Sequence, residues 1–298
     1  MEVYSNGKIL ITGEYAILNG ALSLATPTKF GQYLNFKEKS SKFINWKSIN
    51  YDGNIWFECS IAIENLKIQS TSSKKISDKL IAIINLIRKY NPNFLRTSGS
   101  DISTKLTFER NWGLGTSSTL ISNLSKLSGV DPYNINNKIF KGSGYDIACS
   151  KTNSPILYRL IEDDRNIYKT DFKPSFHNNI YFIFLNKKQN TLSEIEDFKK
   201  KKVSSSVINE ISNITSNLVE CNSIKEFNRL IEAHELIISK LISKPTIKET
   251  VFNDFKGGVK SLGAWGGDMV MVTSEKDPKK YFKQKGYTTI FKFKELIV

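Results

Sequence analysis

The chain has 298 residues, 40% of them hydrophobic and 24% charged, which suits one large domain or two ordinary ones with a real core. Its net charge of +14 raises a nucleic-acid or anionic-surface role, but no basic tail and no basic-aromatic ladder accompanies it, and no nucleic-acid partner is expected. Three widely spaced cysteines and two histidines argue against a disulfide framework and a histidine metal site, and the longest apolar run is too short for a bilayer, so a cytoplasmic protein without a membrane partner is expected.

In chain order, Lys8-Ile9-Leu10-Ile11-Thr12 reads as a buried strand ending at Gly13-Glu14-Tyr15. Residues 16–18 and 21–24 flank Asn19-Gly20, a favoured two-residue hairpin turn. Residues 31–36 read as a strand, and Asp52-Gly53 as a hairpin turn between strands at 43–50 and 54–59. Ile76, Leu80, Ile83, Ile84 and Ile87 share one face of a helix that stops before Asn91-Pro92.

The central stretch runs strand, glycine loop, helix. Residues 102–108 alternate like a strand, then come Gly113-Leu114-Gly115-Thr116-Ser117-Ser118, then Leu120, Ile121, Leu124 and Leu127 on one helical face. Glycines let backbone amides approach an anion, and a helix start adds unpaired donors and partial positive charge. Hydroxyls at Thr116, Ser117 and Ser118 suit phosphate oxygens or Mg²⁺. The plainer reading is a glycine turn with Ser/Thr caps.

Gly142-Ser143-Gly144 leads into a further helix with Asp146 in its first turn, where a carboxylate is favoured by the helix dipole. An ordinary surface acid is the other reading. Residues 155–160 and 167–172 read as strands, and 180–185 as a strand covered on both faces. Two amphipathic helices follow, the second with His234 on its apolar face, as a core residue rather than a catalytic one. A helix over 247–255 leads to Ser261-Leu262-Gly263-Ala264-Trp265-Gly266-Gly267-Asp268 and a strand over 269–273. Asp277-Pro278 caps a last helix, and 288–293 forms a last strand.

Three segments, taken together and in this order, resemble the motifs of the GHMP small-molecule kinases: Gly7 to Tyr15, Gly113 to Ser118, and Gly263 to Asp268. The resemblance spans nearly the whole chain. It implies an α+β, two-domain fold: an N-terminal ATP-binding domain over 1–173, like the second domain of ribosomal protein S5, and a ferredoxin-like α/β domain over 174–298. Gly142 to Ala148 is most similar to phosphomevalonate kinases and to a divergent bacterial group with Gly-Tyr-Asp-Ile-Ala. Four departures stand out: Glu109 for a proline, Trp265 for a glycine, Tyr15 for the histidine of mevalonate kinase, and no counterpart of that enzyme's metal-binding glutamate.

The activity so implied is ATP-dependent phosphoryl transfer to a small anionic metabolite of the mevalonate (isoprenoid) route, phosphomevalonate before mevalonate, with ATP and Mg²⁺ as cofactors. Diphosphomevalonate decarboxylase and a nucleotide-binding pseudokinase are the rival readings; the state is monomer or homodimer. By the resemblance, Asp146 and Lys8 face the transferred group, and residues 113–118 hold the phosphates. Ser117 ligates the metal, with Glu14 as a possible helper. Gly13, Tyr15, Ser143, Gly144, Lys187, Lys188, Lys260, Ser261, Gly263 and Asp268 are the acceptor-side candidates. Trp46 and Trp56 are candidates for a base pocket or for aromatic core.

Overall fold

The computed structural model describes residues 1–140, 142–187, 198, 201–263 and 265–298. The fold is α+β and divides into two compact units. One holds residues 1–7, 30–110 and 115–151; the other holds 8–29, 111–114 and 152–298. Two long strands, β1 (Glu2–Leu10) and β2 (Ser23–Lys39), run from one unit into the other along the chain.

In the first unit the later part of β2 pairs antiparallel with β6 (Gly99–Leu106), which pairs in parallel with β3 (Phe43–Ile49). β3 continues antiparallel to β4 (Ile55–Ala62), and β4 to β5 (Ile68–Thr71). Asp52-Gly53 makes the expected turn between β3 and β4, with the Asn54 amide donating to Asp52 Oδ1. Alternation drives Ile44, Trp46, Phe57, Cys59 and Ile61 inward, where they meet the apolar stripe of α1 (Lys74–Tyr90). The same core takes Ile121 and Leu124 of α2 (Thr116–Ser128), Ile135 of α3 (Pro132–Ile139) and Ile147 of α4 (Tyr145–Ser150). Trp46 is only 2% exposed and belongs to this core. Trp56 is half-buried beneath the Arg110 guanidinium, 3.7 Å from its ring centroid.

In the second unit Ser23–Ala25 pair with β7 (Ile156–Ile161), which turns back into β8 (Asp164–Lys169). A separate antiparallel sheet has the order β10 (Val259–Leu262), β11 (Met269–Thr273), β9 (Ile180–Phe184), β12 (Ile290–Lys292). Every residue of β9 is buried, as its unbroken apolar run requires. The long helices here are α5 (Ser205–Glu220) and α6 (Ile224–Ile242), each with a serine N-cap.

Three local expectations fail for physical reasons. Asn19-Gly20 is not a hairpin turn: Ala16–Asn19 is a 3₁₀ turn, closed by the Leu18 amide on the Tyr15 carbonyl, and left-handed Gly20 stops it. The helix at 247 lasts only from Ile247 to Thr250 (α7), because Phe252 turns into the core with its amide on the Ile247 carbonyl. The strand at 288–293 shrinks to β12, and Phe293–Leu296 forms a closing helical turn after α8 (Lys279–Gln284). Among the described residues no helix is long and apolar enough to cross a membrane.

Candidate active site

The central glycine loop lies where the chain passes from one unit to the other, residues 111–114 belonging to the second and 115–118 to the first. In the second unit, β1 holds the loop twice. The Lys8 amide donates to the Leu114 carbonyl at 3.0 Å, and Lys8 Nζ donates to the Gly113 carbonyl at 3.0 Å. Gly113 has φ +73, and a Cβ there would stand 2.7 Å from Asp268 Oδ2, so only glycine fits beside that carboxylate. Asp268 is itself left-handed, at φ +52. Its amide donates to the Lys187 carbonyl and its carbonyl accepts from the Leu185 amide. Lys8, Trp112, Gly113, Leu114, Gly263 and Asp268 thus line one small cleft. Lys187 places its side chain in solvent. Lys188 lies outside the described residues, as does Ala264 of the third glycine segment.

The first glycine segment faces inward. The Gly13 amide donates to His234 Nε2 at 2.9 Å. Glu14 is 2% exposed, and its Oε1 accepts from Lys260 Nζ at 2.9 Å. The Tyr15 hydroxyl accepts from the Trp265 amide at 2.9 Å. Lys260, fully buried, also donates to the Ser261 carbonyl and lies 3.5 Å from Glu235 Oε1. Ser261 Oγ donates to Glu235 Oε2 at 3.0 Å. Glu14, Lys260 and Ser261 therefore answer one another and Glu235 rather than facing solvent.

Two carboxylates and one ammonium share this dry cluster, and burial sets its protonation. Burial pushes the Glu14 carboxyl up to about 7 against the pull of Lys260, and raises Glu235 in the same way. Burial, reinforced by Lys260, pulls His234 well below its ordinary value. A neutral ring whose Nε2 accepts from Gly13 carries its proton on Nδ1. His234 is thus a core acceptor. His234 and Glu235 are the polar pair on an otherwise apolar helix face, which was the one sequence signal for this cluster.

In the first unit the loop continues through left-handed Gly115 into α2, whose start no side chain caps among the described residues. The first amides of a helix lack partners within it and carry partial positive charge. Ser118 is buried and its hydroxyl donates to the Gly115 carbonyl at 2.8 Å, while Ser117 is exposed and Thr116 half-buried. Ser118 therefore braces the loop and Ser117 presents its hydroxyl outward. Ser143 is buried and Gly144 precedes α4, with Asp146 half-buried in the first turn. Its Oδ1 accepts from the Ile147 amide at 3.1 Å. Helices α2 and α4 pack together, joined by the hydroxyls of Ser122 and Ser150. Among the described residues no group of three or more His, Cys, Asp or Glu side chains converges to hold a metal.

No protein-family model matches the sequence, and no curated protein matches it either. Solved structures do. Methanococcus jannaschii mevalonate kinase is 18% identical with a TM-score of 0.71, over 98% of this chain and 96% of that one. Streptococcus pneumoniae phosphomevalonate kinase, in complex with phosphomevalonate and AMPPNP, is 17% identical with a TM-score of 0.68, over 96% and 95%. Lactococcus lactis galactokinase, complexed with galactose, is 13% identical with a TM-score of 0.67, over 97% and 92%. The chain has the fold of the GHMP kinases along almost its entire length.

Proposed function

We propose that this protein is an ATP-dependent small-molecule kinase of the GHMP type, acting on a small anionic metabolite of the mevalonate route, with phosphomevalonate as the first acceptor to test. The observation that carries this reading is the uncapped start of α2 behind two left-handed glycines, with exposed Ser117 in its first turn. Phosphoryl transfer asks for positioning and charge neutralisation more than covalent chemistry. In this reading the amides of residues 113–118 receive the ATP phosphates, and Lys8, already on the Gly113 carbonyl, offsets their charge.

Mg²⁺ fits this chain only as a guest of the nucleotide: Ser117 would hold it together with phosphate oxygens and water, because Glu14 is committed to Lys260. When bound, the ion would neutralise charge on the phosphates. Asp146 orients the acceptor, and takes its proton if the acceptor is an alcohol. Asp268, Gly263, Ser143 and Gly144 remain the acceptor-side candidates, with Lys187 as an exposed surface cation.

A coupled ADP-release screen over mevalonate, its phosphate, its diphosphate, homoserine and sugars tests the reading. ADP release with phosphomevalonate is expected. D146A should lower transfer by about 10³-fold or more while calorimetric ATP affinity stays within about threefold. Wild-type turnover by D146A would remove Asp146 from its role. A second reading, nucleotide binding without transfer, draws on the Trp265 amide being engaged by Tyr15 and on the lack of a metal-holding carboxylate group among the described residues. ATP binding with no ADP release for any acceptor would favour it.

A further inference from the structure

Gly13, Glu14 and Tyr15 are consecutive, and each grips a different element. Gly13 reaches α6 through His234, Glu14 reaches β10 through Lys260, and Tyr15 reaches the third glycine segment through the Trp265 amide. All three grips lie in one unit and are buried, Tyr15 being the most exposed at 8%. We propose that residues 13–15 form a three-point clasp that fixes the strand bearing Lys8 against the segment bearing Asp268, with Glu14 and Tyr15 as positioning residues that touch no ligand.

The connectivity gives the clasp its purpose. On one side, Gly13 follows closely on the end of β1, which carries Lys8. On the other, Lys260 sits in β10, which leads through Gly263 and Trp265 to Asp268. Lys8 and Asp268 line the same cleft beside Gly113. Its two sides are thus joined at Glu14–Lys260 and at Tyr15–Trp265, and a small slip at either joint moves Lys8 relative to Asp268.

Tyr15 bears the marks of a constrained part. Its φ of +59 is rare for a bulky residue and persists only where surroundings over-determine it. The Phe198 ring packs 5.3 Å from the Tyr15 ring, and both join Trp265 in one apolar cluster. Trp265 turns its indole away from the loop, with Nε1 donating to the Pro245 carbonyl at 3.0 Å. Two of the departures from the kinase motifs, Tyr15 and Trp265, are therefore one device. The indole fills core, and the tyrosine hydroxyl answers the amide that a glycine-lined loop would leave for a ligand. Lys260 completes it: without that ammonium, Glu14 and Glu235 would be left as buried carboxylates with no cation between them.

Y15F keeps the ring and removes the acceptor, leaving the Trp265 amide buried and unanswered. The expected result is faster amide hydrogen exchange in the peptide spanning Trp265. Where the kinase reading holds, on which only this kinetic arm rests, kcat falls about ten- to hundredfold with the KM for ATP within about twofold. In a thermal-melting cycle, K260M should melt well below wild type or fail to fold, and E14Q/K260M should recover part of the loss. Unchanged exchange in Y15F overturns the clasp, as does a double variant that melts no higher than K260M. A Y15F whose KM rises at constant kcat makes Tyr15 a ligand contact and also overturns it. If wild type transfers phosphate to nothing, the kinase reading fails alone, and exchange and melting still decide the clasp.

Discussion

The first and central glycine turns look alike in sequence and do opposite things. Around Gly13 the amide of Gly13, Oε1 of Glu14 and the hydroxyl of Tyr15 are each bonded to a protein group. At the central turn Lys8 holds the Gly113 carbonyl and Ser118 the Gly115 carbonyl, but no side chain among the described residues caps the helix start that follows. A glycine turn is therefore half of a binding site at most. The other half is whether its donors have been left without protein partners, and only the fold decides that.

Breaking each turn in the same way sharpens the contrast. In G13A a Cβ would land on the Ser23 side chain, at a φ of +90 that alanine resists. Both penalties fall in the core, and a stability loss on the order of 3–5 kcal/mol or outright failure to fold is expected by urea melting. In G113A the new methyl meets the Asp268 carboxylate, and the left-handed backbone costs about 1–2 kcal/mol. That change should lower the urea midpoint, but by much less than G13A does, and weaken calorimetric nucleotide affinity by about tenfold. Equal effects of the two variants on melting would erase the distinction between structural and ligand-facing turns.

A subtler test titrates the inward-facing turn. The folded protein holds a proton on Glu14 up to about pH 7, where the free side chain lets go near 4.5. Stability therefore declines as pH climbs through that interval and is level above it, by on the order of 3 kcal/mol in all. His234 works the other way: its folded value lies below 6.5, so stability is lost as pH falls beneath that value. The two trends oppose each other in wild type. E14Q removes the first and keeps the like but separate trend of Glu235, so between about pH 5 and pH 7 its melting temperature should fall less steeply, or rise more, than that of wild type. Parallel curves would place the burial cost on Glu235 instead.

Much of the fold is legible because local periodicity and punctuation agree. Ile76 to Ile87 trace one face of α1, Asp52-Gly53 turns the hairpin it promises, and Thr116 and Tyr145 open helices where glycines lead into them. The central loop and Asp146 stand out for the same reason. What local rules miss is long-range partnership. Asn19-Gly20 obeys hairpin rules, yet Tyr15 is pinned to Trp265 and the chain coils into a 3₁₀ turn instead. Glu14 and Lys260 read as candidates for metal and acceptor because each is charged and lies beside one of the glycine motifs. Separated by 246 positions, they cancel one another in the core, and no window of sequence displays that pairing.

The interleaving of the two units sets a limit on how this gene can be dissected. Neither unit is a continuous stretch, so no single cut releases one intact. A fragment beginning at residue 174 would retain Lys260 and Glu235 but not Glu14, removing one of the two carboxylates that face the buried ammonium. Fragments ending there would keep the carboxylate and lose its counter-ion. Such halves should be insoluble apart and should be recovered, if at all, by co-expression, each completing the other's unfinished interior.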